Sequence, residues 1–337
     1  MRKPCFDNLL KILSRRRPDR PTLYELFLND TLYSRFGGHA LTGSTDPLTR
    51  FSTIAAAMAA IGYDYAPNTA NDFRFPVPDF HSLKTISLNE GSAITDRASF
   101  SAYPWPDPDA FDYSVLDRVA ATLPDGMKII ILGPCGVLEN ALRIVGFDHL
   151  CFILADDPEL ARDVFDAIGS RLLRYYELCL KFDTVGAVVG NDDWGFKTQT
   201  MLSPADMRRY VFPWHKKIVA AAHAAGRPAI LHSCGNLREV MDDVIDDMKY
   251  DGKHSYEDAI LPVEDAYKEY SGRIAIMGGI DVDFLCRSTP AQVRRRADAL
   301  LALASEHGAY ALGTGNSVPE YIPEDNYFAM TAAATAP

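Results

Sequence analysis

A histidine and a cysteine stand two residues apart in "AILHSCGN", where an apolar run gives way to turn residues. Side chains alternate along a strand, so His232 and Cys234 are predicted to point to one side while Ser233 points away. Imidazole and thiolate together are typical zinc ligands. The alternative is that both residues only pack at a strand end, because the local spacing supplies no third ligand.

The residues after this pair predict a helix. Asn236 stands at an N-cap position, and Glu239 stands three residues later, as in a capping box. The positive end of such a helix would favour the thiolate form of Cys234.

Eight apolar runs alternate with helical patterns and predict the fold. Buried strands that alternate with helices are typical of a closed (β/α)8 barrel, or TIM barrel, and we predict one such domain over residues 1–337. A doubly wound open sheet is the runner-up, but no GxGxxG motif follows an early strand. The predicted strands are 21–28, 63–68, 126–134, 184–192, 227–233, 250–257, 273–281 and 308–316.

One segment interrupts this alternation after the second predicted strand. Residues 75–113 contain two short β-like runs that flank "LNEGS", a sequence rich in turn-forming residues. We predict a β-hairpin insertion that lies over one end of the barrel.

The strand ends supply the other candidate site residues, because the chemistry of such barrels takes place at the carboxyl ends of the strands. In "GNDDWG", paired acids make Asp193 a candidate proton donor, and Trp194 could stack on a ring-shaped substrate. For Asp192 and Asp193, helix capping is the alternative role. The remaining catalytic candidates are Glu257 and Asp281, and the remaining substrate-binding candidates are Glu25, Asn191, Tyr256 and Asn316.

Composition limits the classes of partner. The net charge is −11, from 34 basic and 45 acidic residues, which disfavours nucleic acid and anionic membranes. No apolar run approaches the roughly 20 residues of a membrane span, and the N-terminus lacks the apolar core of a signal peptide. We therefore expect a cytoplasmic protein with a small-molecule substrate. Six scattered cysteines do not suggest a disulfide framework.

Three segments resemble the uroporphyrinogen decarboxylase superfamily: "HSCGN", "KHSYEDAILPVEDAYKEYSGRIAIMGGIDVDFL" and "ALGTGNSVPEYIPEDNYFAM". The resemblance extends from about Arg15 onward and implies the (β/α)8 barrel. True decarboxylases of this superfamily carry an arginine-rich motif of the type PVWxMRQAGR near the N-terminus. The corresponding segment here is "PTLYELFLNDTLYSRFGG", in which Arg35 is the only basic residue.

The chain is more similar to a second branch, the corrinoid-dependent methyltransferases of the coenzyme M type. Their zinc is held by His-x-Cys and a later cysteine; His232 and Cys234 match the first two positions, whereas Asn316 stands where the later cysteine is expected. Glu257 or Asp281 would then assist the metal.

The resemblance implies methyl transfer between a small methylated donor and a corrinoid (cobalamin). The corrinoid would be carried by a partner protein, since no DxHxxG motif occurs. A lyase acting on a small carboxylic acid and a non-catalytic ligand-binding barrel are the alternatives.

Overall fold

The centre of the fold is one parallel sheet whose strands follow one another in chain order. The computed structural model describes residues 2–77 and 92–335, and these contain seven strands. They are β1 (Tyr65–Asn68), β2 (Lys128–Leu132), β3 (Val185–Asn191), β4 (Ala229–His232), β5 (Gly252–His254), β6 (Ala275–Met277) and β7 (Tyr310–Ala311). A doubly wound sheet reverses its strand order at a switch point, so this consecutive order argues against the runner-up topology.

Helices cover the sheet, as parallel strands require crossover connections. The α-helices are α1 (Phe6–Leu13), α2 (Asp30–Gly37), α3 (Pro47–Ile61), α4 (Arg97–Ala102), α5 (Val115–Arg118), α6 (Val137–Val145), α7 (Phe147–Asp156), α8 (Pro158–Cys179), α9 (Pro204–Asp206), α10 (Phe212–Ala224), α11 (Val263–Tyr270), α12 (Val282–Arg287), α13 (Pro290–Ala304) and α14 (Glu324–Thr335). Short 3₁₀ helices occur at Pro108–Ala110, Val119–Ala121 and Arg238–Val240, and π-helical turns at Met207–Val211 and Asp243–Asp247. Among the described residues, no helix is long and apolar enough to cross a membrane.

The strands are buried on both faces, which explains their apolar sequences. In β2, Ile129, Ile130 and Ile131 are all inaccessible to solvent or nearly so, although successive side chains point to opposite faces. The predicted alternation of buried parallel strands and helices is therefore confirmed for seven strands.

The eighth predicted strand, residues 21–28, is an extended segment joined to its neighbours by isolated contacts. Leu23 forms a parallel bridge with Leu312, just past β7. On the other edge of the sheet, the Tyr65 hydroxyl in β1 accepts a hydrogen bond from the Glu25 amide at 2.7 Å and donates one to the Glu25 carbonyl. Both edges of the sheet thus meet the same segment, so the sheet is curled. We call this junction the seam.

The predicted hairpin lies largely outside the described residues, because 78–91 are not among them. Within the described part, 92–113, the chain forms a short α-helix and a 3₁₀ turn and contains no strand. Trp105 packs there under the Arg171 guanidinium of α8, whose carbon lies 5.0 Å from the ring centroid. The C-terminal part of the insertion is thus attached to the helical layer.

We predict that the Tyr65 hydroxyl stabilises the seam. Tyr65→Phe leaves the buried amide and carbonyl of Glu25 without this partner and should lower the free energy of unfolding by about 1 to 3 kcal/mol. The matched control is Tyr310→Phe, because the equally buried Tyr310 hydroxyl has no hydrogen-bond partner among the described residues. Equal denaturant midpoints for the two variants would contradict the prediction.

Candidate metal centre

Three potential metal ligands meet at the carboxyl ends of β3 and β4. Donor atoms of Asp193, His232 and Cys234 all lie within 4.8 Å of one another. His232 Nε2 is 3.9 Å from Cys234 Sγ and 3.8 Å from Asp193 Oδ1. The strands bring them together because Asn191 is the register partner of His232, which places Asp193 beside the turn that carries Cys234.

The donor set fits a zinc ion. A tetrahedral zinc, with ligand distances of about 2.0 Å to nitrogen or oxygen and about 2.3 Å to sulfur, separates neighbouring donors by roughly 3.3 to 3.5 Å. The two separations from His232 Nε2 exceed these values by a few tenths of an ångström, and the remaining pair, Asp193 and Cys234, lies within 4.8 Å. Three protein ligands leave a fourth position open, which is typical of catalytic zinc sites.

Polar groups surround the Cys234 sulfur. The Asn316 amide donates to Sγ at 3.3 Å and the Ser255 hydroxyl at 3.4 Å, while the Cys234 backbone amide donates to Asp193 Oδ1 at 2.8 Å. Burial, and then the charge of Asp193, raise the pKa of the thiol to about 12. The metal-free thiol is therefore protonated at neutral pH, and a bound metal cation would favour the thiolate.

The His232 ring is hydrogen-bonded on the side that faces away from Cys234. Its Nδ1 lies 2.8 Å from Nδ1 of His254, and Nε2 of His254 lies 3.1 Å from the Thr314 carbonyl oxygen. Burial and the charge of Lys253 lower the pKa of His232 to about 3. The imidazole is therefore neutral, which is the form that binds metals.

Glu25 lies at the seam and not in the open mouth. It is fully buried, and its two carboxylate oxygens accept hydrogen bonds from the Thr314 amide at 2.8 Å and the Thr314 hydroxyl at 2.6 Å. Burial raises its pKa to about 8. The structure thus places this predicted substrate-binding residue behind the mouth.

The adjacent acids Asp192 and Asp193 have different surroundings. Asp192 is fully buried and accepts hydrogen bonds from the amides of Leu138 and Glu139, each at 2.9 Å, at the start of α6. Its Oδ2 also lies 2.9 Å from Nε2 of His215. Asp193 is partly open, with 36% of its side chain exposed. The sequence left open that either acid caps the following helix; Asp192 instead accepts from the first turn of α6, which precedes it in the chain, and the next helix is capped by Ser203.

Glu139 is a further acid of the mouth that the sequence reasoning missed. It is largely buried near Asp192 and Asp193, and its pKa is raised to about 8 by burial and by the charges of these two acids. The effect expected of neighbouring acids, a raised pKa, is thus found at Glu139. Glu139 is the third residue of α6, which begins directly after the turn that follows β2. An acid so close to a strand end could have been included among the candidate site residues.

Two predicted site residues are used by the fold itself. Trp194 is fully buried, with its ring centroid 5.1 Å from Phe212 and 4.9 Å from His215. Asp281 caps α12 by accepting from the Phe284 amide at 3.0 Å, and its other oxygen accepts from the Asp258 amide at 2.9 Å.

Tyr256 and Asn191 have unsatisfied polar atoms. The Tyr256 hydroxyl and Asn191 Oδ1 are buried and have no hydrogen-bond partner in the described part of the chain. The Lys253 ammonium lies 4.2 Å from the Tyr256 ring centroid and donates to the Ser255 carbonyl. Burial lowers the pKa of Lys253 to about 8. Glu257, which follows Tyr256, is not part of the donor cluster described above.

The predicted capping box at Asn236 is wrong. The Asn236 side chain accepts from the Arg238 amide at 3.2 Å, in a short turn, and the chain continues as a 3₁₀ helix and a π-helical turn. The backbone amide of Asn236 donates to the Phe196 carbonyl, in the loop after β3, at 2.8 Å. This amide is therefore not available to Glu239, as a capping box requires. The expected dipole of a regular helix at Cys234 is therefore absent from this part of the structure.

We predict that Asp192 contributes mainly to stability, whereas Asp193 contributes little to stability and is available for function. Asp192→Ala leaves buried donors unsatisfied and should lower the free energy of unfolding by roughly 2 to 4 kcal/mol. Asp193→Ala, at the more open position, should cost less than about 1 kcal/mol. Urea unfolding of both variants measures the difference. If Asp193→Ala unfolds as early as Asp192→Ala, Asp193 is chiefly structural.

Comparison with known proteins identifies the family. A family model described as uroporphyrinogen decarboxylase (URO-D) matches residues 94–336. The uroporphyrinogen decarboxylase of Anaeromyxobacter sp. (strain Fw109-5) is 25% identical over 250 residues, which are 72% of this chain and 69% of the relative. That of Myxococcus xanthus (strain DK1622) is 25% identical over 238 residues, 67% of this chain and 65% of the relative.

Solved structures share the fold. A methyltransferase from Methanosarcina mazei superposes with a TM-score of 0.71 at 14% identity and covers 97% of both chains. A putative vitamin-B12 independent methionine synthase from Listeria monocytogenes has a TM-score of 0.50 at 11% identity, over 99% of this chain and 96% of the other. Since the family model matches well over half of the sequence, the chain belongs to the uroporphyrinogen decarboxylase family.

Proposed function

We propose that this protein is a methyltransferase of the corrinoid-linked type, which moves a methyl group between a small methylated donor and a separate corrinoid protein. The observation that carries the proposal is the convergence of Asp193, His232 and Cys234 within 4.8 Å at the ends of two parallel strands. The His-x-Cys spacing of the methyltransferase branch and the fold shared with a methyltransferase support it.

Zinc would be held by these three side chains, with Asp193 in the third position. Neither Asp281, whose two oxygens already accept backbone hydrogen bonds, nor Glu257 belongs to the donor cluster. When bound, zinc supplies a Lewis acid that stabilises a negatively charged sulfur, oxygen or nitrogen atom of the substrate. Asn316 would hold the Cys234 sulfur in place through its amide.

Substrate contacts are proposed for Asn191 and Tyr256. Buried polar groups in folded proteins are normally hydrogen-bonded, so a buried carbonyl oxygen and a buried hydroxyl without partners suggest that a ligand or ordered water pairs with them. Both residues lie at the carboxyl ends of strands that flank or neighbour β4. Of the two, Asn191 directly precedes Asp192 and Asp193 and would help to orient a small polar substrate at the open zinc position, whereas Tyr256 interacts with Tyr270 and Tyr310 and is the weaker candidate.

The second candidate is a lyase acting on a small carboxylic acid. Lys253 favours it, because a buried ammonium group at the mouth could pair with one substrate carboxylate. Binding of a substrate with many carboxylates would need more cations. Arg35 forms an ion pair with Glu324, and Arg20 with the buried Asp64, so these two arginines are already engaged.

We predict that zinc content depends on Cys234 and not on the other thiol near a strand end. Cys234→Ser should remove the zinc found by elemental analysis, because the thiolate ligand is lost, and should leave the melting temperature of the metal-free protein unchanged. Cys135→Ser is the matched control, since Cys135 contacts Arg143 at 3.3 Å and lies outside the donor cluster. Full zinc retention by Cys234→Ser would contradict the proposed site.

The activity is tested with the zinc-loaded protein, free cob(I)alamin and a panel of methyl donors. The panel contains methyl thioethers, methanol, methyl ethers and methylamines. We expect formation of methylcob(III)alamin, measured by absorbance, with one class of donor. Asp193→Asn should lower its rate at least about tenfold, as expected for weakened metal binding. Release of carbon dioxide from small acids without methyl transfer would support the lyase. Tight ligand binding without any turnover would support a non-catalytic barrel.

A further inference from the structure

We propose that His254 is a positioning residue which, together with the Thr314 carbonyl, holds His232 in the tautomer that presents an Nε2 lone pair to the metal. The inference rests on the proposed zinc site, but it concerns two side chains that do not reach the metal. Its basis is a row of hydrogen bonds behind His232, which we call the histidine row: Glu25, Thr314, His254 and His232.

The partners of His254 determine its tautomer. A carbonyl oxygen can only accept, so His254 Nε2, 3.1 Å from the Thr314 oxygen, must carry the hydrogen and donate it. A neutral imidazole has one N–H, so His254 Nδ1 is then an acceptor. His254 is fully buried, and its two ring nitrogens contact His232 and the Thr314 carbonyl, with no carboxylate among these partners, so the ring is best accommodated as the neutral form.

The same logic then applies to His232. Its Nδ1 is 2.8 Å from the acceptor Nδ1 of His254, so His232 must donate from Nδ1. The neutral ring therefore has its free lone pair on Nε2, the atom that lies 3.9 Å from Cys234 Sγ and 3.8 Å from Asp193 Oδ1. Only this tautomer offers a lone pair to a metal at that point.

Burial and packing keep the histidine row in this arrangement. His254 and Thr314 are fully buried and His232 is 6% exposed, so bulk water has little access to the two rings. The Tyr24 ring contacts the His254 ring edge-on, with centroids 5.2 Å apart. A flipped His254 ring would lose its hydrogen bond to Thr314 and leave buried polar atoms without partners, which is unfavourable.

Thr314 is itself fixed by Glu25. Its backbone amide and hydroxyl donate to the two oxygens of the Glu25 carboxylate at 2.8 and 2.6 Å. Glu25 belongs to the extended segment at the seam, where its backbone is bound by the Tyr65 hydroxyl. The role assigned to Glu25 is therefore to anchor the histidine row, in place of the substrate contact that the sequence suggested.

The tautomer is tested directly by ¹⁵N NMR of the histidine rings in the metal-free protein at neutral pH. We expect the wild type to show His232 protonated at Nδ1 and His254 protonated at Nε2. His254→Leu removes the acceptor and should give His232 as a mixture of tautomers. A wild-type His232 protonated at Nε2 would overturn the proposal, whether or not the variant folds.

Zinc affinity, measured by competition with a chromogenic chelator, is the second readout. His254→Leu should weaken zinc binding by about 10- to 100-fold, the usual effect of losing a group that orients a metal ligand. His254→Gln should largely restore it, because the glutamine carbonyl can accept from His232 while its amide donates to Thr314. The control is His223→Leu, which changes a half-exposed histidine that pairs with Asp251 away from the mouth. The His223→Leu protein should bind zinc with the affinity of the wild type.

The two readouts separate this inference from the proposed function. If His232 is protonated at Nδ1 and the protein binds no zinc, the positioning role stands and the metal-dependent function fails. If zinc binds to the wild type and His254→Leu retains full affinity, the metal site stands and the positioning role is wrong. Failure of His254→Gln to restore affinity would show that an acceptor for His232 at this position does not support zinc binding, and would overturn the positioning role.

Discussion

The structure depends on the hydrogen bonds of the histidine row, because they link the closure of the sheet to the geometry of the site. Buried polar groups are unfavourable unless they are hydrogen-bonded. In the histidine row, Glu25 is hydrogen-bonded to Thr314, Thr314 to His254, and His254 to His232. The row crosses from the N-terminal extended segment to the end of β7 and on to β5 and β4. The seam and the candidate metal centre therefore form one continuous polar unit within an apolar sheet.

In contrast to this satisfied row, some buried polar atoms near the strand ends have no hydrogen-bond partner in the described part of the chain. Asn191 and Tyr256 each contribute a buried atom without a partner among the described residues, and Asp193 is partly open to solvent. The adjacent Asp192 accepts hydrogen bonds from the Leu138 and Glu139 amides, and its Oδ2 lies 2.9 Å from His215 Nε2. The fold thus uses one of two adjacent carboxylates to hold α6 and leaves the other for a ligand.

The sequence predicted the elements and part of the site well. Apolar runs identified seven strands, and alternation along β4 predicted that His232 and Cys234 would face the same space. The third donor, Asp193, was predicted only as an acid, because its position near His232 depends on the register between β3 and β4, which is non-local. The same limit explains Asn236, whose capping pattern is overridden by the loop after β3.

The remaining differences between the expected and the observed surroundings of these residues have a related cause. Trp194 follows two acids at a strand end, a typical context for a ligand contact, and the structure instead buries it against Phe212 and His215. The extended segment at the seam has a strand-like sequence, but only isolated bridges form there. Local pattern predicts that a residue is buried or at a strand end, whereas its partner is set by packing between distant elements.

The proposed metal site contains a single thiol, and this has a consequence for oxidation. Two cysteines that share a zinc can close into a disulfide once the metal leaves, and the site is then blocked until it is reduced. With Asn316 against the sulfur, Cys234 has no second thiol within the donor cluster to pair with. Without the metal, the Cys234 thiol is buried and protonated, and peroxide attacks this form slowly because the thiolate is the reactive species. The chain would therefore tolerate cycles of metal loss and reloading in air better than a site built from two cysteines.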